Sequence, residues 1–187
     1  MNIFVLDRDP KVAAMSHCNK HVVKMILEAG QMLCAAHWMH LLKANNKSLK
    51  DFKRVKDAQS WLYENTRPDL QPPWKMSHTR HPCTIWTGET ISNYYWHLNL
   101  AESLLSEYRK RYKKHHKSET VIEWLRENLP VNIKNDLLTE FPQCVPDECK
   151  VPGDAPAAYK KYYIGYKNHF AKWEPHAITP KWYQEAL

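Results

Sequence analysis

Glycine is scarce in this chain, four residues in 187, and no run of strict apolar–polar alternation occurs. With few turns of the kind strands need, a sheet has little to be built from, and an all-α fold is expected. No 18-residue apolar run and no charged-then-apolar leader is present, which argues against a membrane-spanning or exported protein. Internal repeats and low-complexity segments are absent too. The cysteines are few and odd in number: Cys18, Cys34, Cys83, Cys144 and Cys149 have no regular spacing. Reduced thiols are therefore expected, and Cys144 with Cys149 makes a poor zinc signature without a second pair. Acidic residues are in deficit, 20 against 27 Lys and Arg, for a formal charge of +7. A basic chain favours polyanionic partners. The expectation is one soluble, cytoplasmic, monomeric domain over residues 1–187 that touches no membrane and needs neither cofactor nor metal.

What is abundant is aromatic: 8 Trp and 10 Tyr supply flat faces for base stacking, or simply a core. Residues 3–6, Ile-Phe-Val-Leu, allow one short edge strand or an extended packing segment. Asp9-Pro10 is an N-cap and first-turn pair for a short helix through Ala13 and Ala14. A long helix is expected from about Asn19 to Leu42 and a weaker one from Val55 to Tyr63. Prolines set a loop from Arg67 to His81. A second long helix runs from about Ile91 to Lys114, Ser118 can cap another to Asn128, and Ala157 to Phe170 can form a last one. Five prolines between the last two impose an irregular connection, and the whole reads as a compact helical bundle with long Pro-rich links.

The segment HCNKHVVKMILEAGQ carries the most unusual pattern. His17, His21, Lys24, Glu28 and Gln31 advance by 4, 3, 4 and 3, a spacing that stacks them on one stripe of a helix that is otherwise apolar. Such a stripe is either a buried polar network or the lining of a cleft, because isolated buried charges are costly. The plain reading is a Lys24–Glu28 pair at i,i+4 with locally bonded histidines. The functional reading makes Glu28 a catalytic carboxylate with His21 and Lys24 beside it, and His17 and Gln31 in substrate-binding positions. His17 and His21 can also reach one metal ion at i,i+4, but that motif is weak alone.

Three further groups bring positive charge. His78, Arg80 and His81 lie in a loop before a helix, a place suited to a phosphate or to an ordinary polar turn. The run from Arg109 through Arg111 to Lys117 crowds cations at one helix end, as a solvated face or as a surface that tracks a nucleic-acid backbone. In the tail, Lys160, Lys161, Tyr163, Lys167, Trp173 and Trp182 interleave rings with ammonium groups. Those rings either stack on bases or finish the core while the lysines face water.

His21 and Glu28, seven apart on one helix, followed by a Tyr-, Leu-, Arg- and Lys-rich helix and an aromatic-basic tail, resemble the phage pyrimidine-dimer DNA glycosylases of the endonuclease V type. The likeness covers about half the chain. The MNIFVLD opening and later KHVVKM are also similar to tailed-phage proteins, which implies a phage-infected bacterial cell. The resemblance implies a small basic all-α enzyme that flips a nucleotide, cleaves the glycosidic bond and nicks the strand, with His21 and Glu28 in the matching helix positions. Two departures stand out. The family's nucleophile is the amine exposed when Met1 is removed, and the bulk of Asn2 disfavours that removal here. The family's arginine before the glutamate is replaced by Leu27. Lys24 then becomes the substitute amine for a lyase, whereas a hydrolytic glycosylase needs none. An amino acid:DNA transferase acting on hypermodified thymine, and a non-enzymatic DNA-binding protein, are the alternative readings.

Overall fold

The computed structural model describes residues 1–186 and is all-α, with eight α-helices and no strand among the described residues. In order they are α1 (Pro10–Ser16), α2 (Asn19–Ala44), α3 (Val55–Asn65), α4 (Pro82–Thr87), α5 (Ile91–Tyr112), α6 (Glu119–Glu127), α7 (Ala155–Tyr162) and α8 (Lys181–Gln184). Residues 3–6 form no strand and are buried as a packing segment with a left-handed residue, Phe4, at φ 42°. None of the helices is long and apolar enough to cross a membrane, and no disulfide joins the five cysteines among the described residues. The chain divides into two compact units: residues 1–28, 99–117 and 140–187, and residues 29–98 with 118–139.

In the second unit, Trp38, Leu41, Leu42, Ala58, Leu62 and Met76 form a buried cluster from α2, α3 and the proline loop. The loop is fixed by backbone polar groups that find partners. The Trp38 indole donates to the Trp74 carbonyl at 2.7 Å, and the Met76 amide donates to Gln59 Oε1 at 2.6 Å. Gly30 lets the Trp74 ring pack close against α2, since a Cβ there would stand 2.6 Å from that ring. The irregular stretch before α7 is also tied down. The Ile91 amide donates to the Lys134 carbonyl at 2.8 Å, and Asn93 and Thr139 exchange two hydrogen bonds.

The first unit is organised round an arginine. His17 leaves helical geometry at φ −67°, ψ 135°, so the chain breaks between α1 and α2 and the carbonyls there have no helical donors. Arg111 supplies them: Nη1 donates to His17 O at 2.8 Å and Nη2 to Met15 O at 3.1 Å, while Nε donates to Glu107 at 2.9 Å. This overturns two expectations. His17 is not part of the α2 stripe, and Arg111, fully buried and saturated, is not available to a phosphate. The tail rings divide as well. Trp173 and Tyr163 are core, with the Trp173 indole donating to Ser16 O at 3.1 Å, so neither can stack on a base.

Candidate functional site

Asn2 brings the start of the chain onto α2. Its side-chain oxygen accepts the Ile3 and Phe4 amides, its Nδ2 donates to Cys144 O at 2.8 Å, and Phe4 takes the left-handed φ of 42°. That turn directs the Asn2 amide at Glu28, where it donates to Oε2 at 2.9 Å, and puts the Met1 nitrogen 3.8 Å from the same oxygen. On the other side, Lys24 Nζ lies 3.2 Å from Oε1. Glu28 is therefore a nearly buried carboxylate held by one backbone donor and flanked by two amines, its side chain only 8% exposed.

His21 lies seven residues before Glu28 on α2, about 10 Å along the axis, so the two face one pocket without touching. Behind the imidazole, Nδ1 shares a hydrogen bond with the buried Tyr163 hydroxyl. Tyr163 stands four residues after the buried Tyr159 at the end of α7, so both rings fall on one inward face, and a π-turn over Tyr163–Lys167, an insertion that recurs at functional sites, begins there. Burial, helped by the nearby His17, Lys167 and Lys24, drives the His21 pKa down to about 2. The ring is thus neutral at physiological pH and offers Nε2, which has no hydrogen bond among the described residues, as a donor or acceptor rather than as a charge.

The pocket these groups share has a volume of about 280 Å³, just below the ~300 Å³ at which small-molecule sites usually begin. Glu28, His21 and Asn2 form its polar lining, and Phe4, Tyr162 and Phe170 its rings. Phe4 and Tyr162 lie parallel with centroids 6.0 Å apart. Lys20, Lys24 and Lys167 are the cations: Lys20 Nζ sits 5.2 Å from the Phe170 centroid and Lys167 Nζ 4.5 Å from that of Tyr162. A polar floor, aromatic sides and a cationic rim suit a single small polar anion with a flat ring.

Of the residues singled out in the sequence, Glu28, His21, Lys24 and Lys167 come together here, with Tyr163 supporting His21 from below. His17 does not: it is fully buried with Nδ1 against Ala13 O at 2.7 Å, and burial lowers its pKa to about 4. Its ring meets that of His21 edge-on at 6.3 Å, which does not converge both nitrogens on one ion. Gln31, His78, Arg80 and His81 belong to the second unit, where His81 serves as N-cap of α4 by accepting the Cys83 amide. Arg109 and Lys161 are exposed, Lys160 is half-buried with Nζ 5.8 Å from the Trp182 ring, and Trp182 is half-buried. Asn2, Phe4, Lys20, Tyr162 and Phe170 are the site residues that sequence reasoning missed.

Comparison of the chain with protein-family models, curated proteins and solved structures returns no match.

Proposed function

We propose that the chain is a DNA-processing enzyme that takes one flipped or modified pyrimidine nucleotide into the pocket round Glu28 and acts on it as a glycosylase does. The observation that carries this reading is a nearly buried carboxylate and a neutral imidazole facing the same ring-lined pocket under three lysines. The lysines attract the phosphates, and Tyr162 and Phe170 offer faces to an extruded base. Glu28 carries the chemistry. As the C1′–N1 bond breaks, its negative charge stabilises the cation that develops on the sugar, and it then takes the proton of the water that adds at C1′. His21 Nε2 hydrogen-bonds the departing base, whose electron pair leaves with N1.

Binding is electrostatic in this reading. Beside the pocket lysines, Arg109, Lys110, Lys113 and Lys114 are exposed on and after the last turn of α5 and line a shallow basic depression. Affinity for duplex DNA is expected to fall by orders of magnitude between about 50 and 200 mM salt, as release of counterions from several phosphates requires. Fluorescence anisotropy at stepped salt measures it. A flat salt response would remove DNA as the partner and point to a small-molecule substrate.

If the enzyme also nicks the strand, an amine must displace the base. Lys24 Nζ, 3.2 Å from Glu28, can pass its proton to the carboxylate and attack C1′, giving an imine on the opened sugar. Borohydride is then expected to trap a covalent complex that Lys24→Gln loses and that survives chemical blocking of the Met1 nitrogen. A trapped peptide mapping to residue 1 would instead assign the attack to the nitrogen 3.8 Å from the other carboxylate oxygen. Processed DNA with no trapped complex would assign hydrolysis.

A further inference from the structure

Behind the pocket round Glu28, the side chains of Cys18, Tyr163 and His21 stand in a row within the first unit. Cys18 holds the N-cap position of α2. Its carbonyl accepts the Val22 amide at 2.9 Å, and its sulfur receives the Lys20 and His21 amides, donors that a first helical turn leaves without intrahelical partners. The same sulfur lies 3.9 Å from the Tyr163 oxygen, and that oxygen hydrogen-bonds His21 Nδ1. All three side chains are buried. Burial raises the pKa of the thiol and of the phenol and lowers that of the imidazole to about 2, so each group is neutral and carries one exchangeable hydrogen.

Counting those hydrogens fixes the direction of the row. If His21 Nδ1–H donated to Tyr163, the phenol hydrogen would turn to the sulfur. The sulfur would then accept three donors, and the buried thiol hydrogen would have no acceptor among the described residues. In the opposite direction every hydrogen is placed. The thiol donates to the Tyr163 oxygen, the phenol donates to Nδ1, and the ring hydrogen stays on Nε2, the nitrogen that faces the pocket.

We infer that Cys18 and Tyr163 are positioning residues that hold His21 as the Nε2–H tautomer, so that the pocket presents a hydrogen-bond donor and takes a ligand with an acceptor at that point. The use made of the donor rests on the reading of the pocket as a glycosylase site. There the acceptor is the O2 carbonyl oxygen of the pyrimidine, beside N1. As the C1′–N1 bond breaks, its electron pair passes to N1 and spreads onto O2, and the hydrogen bond from Nε2 strengthens against the growing charge. The imidazole keeps its hydrogen in this step, and the departing base takes its proton from water.

The test is a long-range proton–nitrogen NMR correlation of the full chain with isotope-labelled histidine at neutral pH, the His21 signals being assigned by their loss in His21→Gln. The wild type is expected to show a bare Nδ1 and a hydrogen on Nε2. A hydrogen on Nδ1 would overturn the inference, whatever the protein does to DNA. Tyr163→Phe keeps the ring and removes the hydroxyl, so both tautomers should appear. On DNA that the wild type processes, its single-turnover rate should fall roughly tenfold, the order of one hydrogen bond, at unchanged DNA affinity. Cys18→Ser, whose hydroxyl also donates to Tyr163, should restore the single tautomer that Cys18→Ala loses. A Tyr163→Phe protein with the wild-type tautomer alone would also overturn the inference. The Nε2–H tautomer in a protein that leaves every DNA intact would uphold the roles of Cys18 and Tyr163 and count against the glycosylase reading instead.

Discussion

Glu28→Gln is expected to lower product formation by about 10²–10⁴-fold, the range that one positioned acid–base group contributes, while the protein stays folded and keeps its affinity for DNA. The substitution preserves shape. The glutamine carbonyl oxygen can still accept the Asn2 amide that Glu28 accepts at 2.9 Å, and Lys24, whose side chain is 66% exposed, keeps its solvation when the ion pair goes. What disappears is the negative charge at the floor of the pocket and the site that receives a proton. Changing that hydrogen bond from charge-assisted to neutral predicts a stability loss of about 1 kcal/mol, visible as a lower melting temperature with an unchanged far-ultraviolet spectrum. Single-turnover assays at saturating enzyme isolate the chemical step. Wild-type turnover in the variant would show that the carboxylate is only the structural partner of Asn2 and Lys24.

The second large effect is on stability. Between pH 7.5 and 5.5 the protein is expected to lose roughly 5 kcal/mol, a sizeable share of the ~5–15 kcal/mol that holds a domain folded. His17, His21, His37 and His97 are all buried. Burial lowers their pKa values to about 4, 2, 3 and 3 respectively. In the unfolded chain each titrates near the ordinary 6.5. Below that value the unfolded state binds protons that the folded state refuses, so stability falls as pH falls, by about 1.4 kcal/mol per histidine per pH unit. The loss continues down to the folded-state values. The environments explain the refusal: His37 bonds to the Tyr94 hydroxyl at 2.8 Å and His97 to that of Thr87 at 2.7 Å, and among the described residues no acid contributes at either to hold an imidazolium. Urea unfolding at the two pH values measures the loss. Equal midpoints and slopes would show that these imidazoles take up protons without unfolding.

Much of the helical frame was legible because helices report themselves by period. The long apolar spacings predict α2 and α5 closely, ending at Ala44 and Tyr112 rather than at Leu42 and Lys114. The tail was not legible to the same degree. An expected helix over Ala157 to Phe170 is instead α7 followed by a π-turn, with Lys167 at the end of that turn lining the pocket. Alternating rings and lysines cannot show such a shift, because they read equally well as core and as surface. The Glu28 stripe was legible as far as His21, Lys24 and Glu28, and failed at His17, since helical spacing continues across a break whose carbonyls are met by Arg111, 94 residues away, and by Trp173. Asn2 and Phe4 gave no signal at all: their place in the site depends on a left-handed residue and on contacts 26 and 142 positions distant.

The proposed function places cleavage of a pyrimidine nucleotide's glycosidic bond in DNA at the pocket round Glu28. The most direct measurement incubates the protein, at low salt where it is bound, with an end-labelled duplex carrying one ultraviolet-induced pyrimidine dimer, and resolves the strands after alkaline treatment. A new band is expected at the lesion with wild-type protein, strongly reduced with Glu28→Gln and absent from the undamaged duplex. Damaged DNA recovered intact from a complex that demonstrably formed, or equal cleavage by the variant, would contradict it.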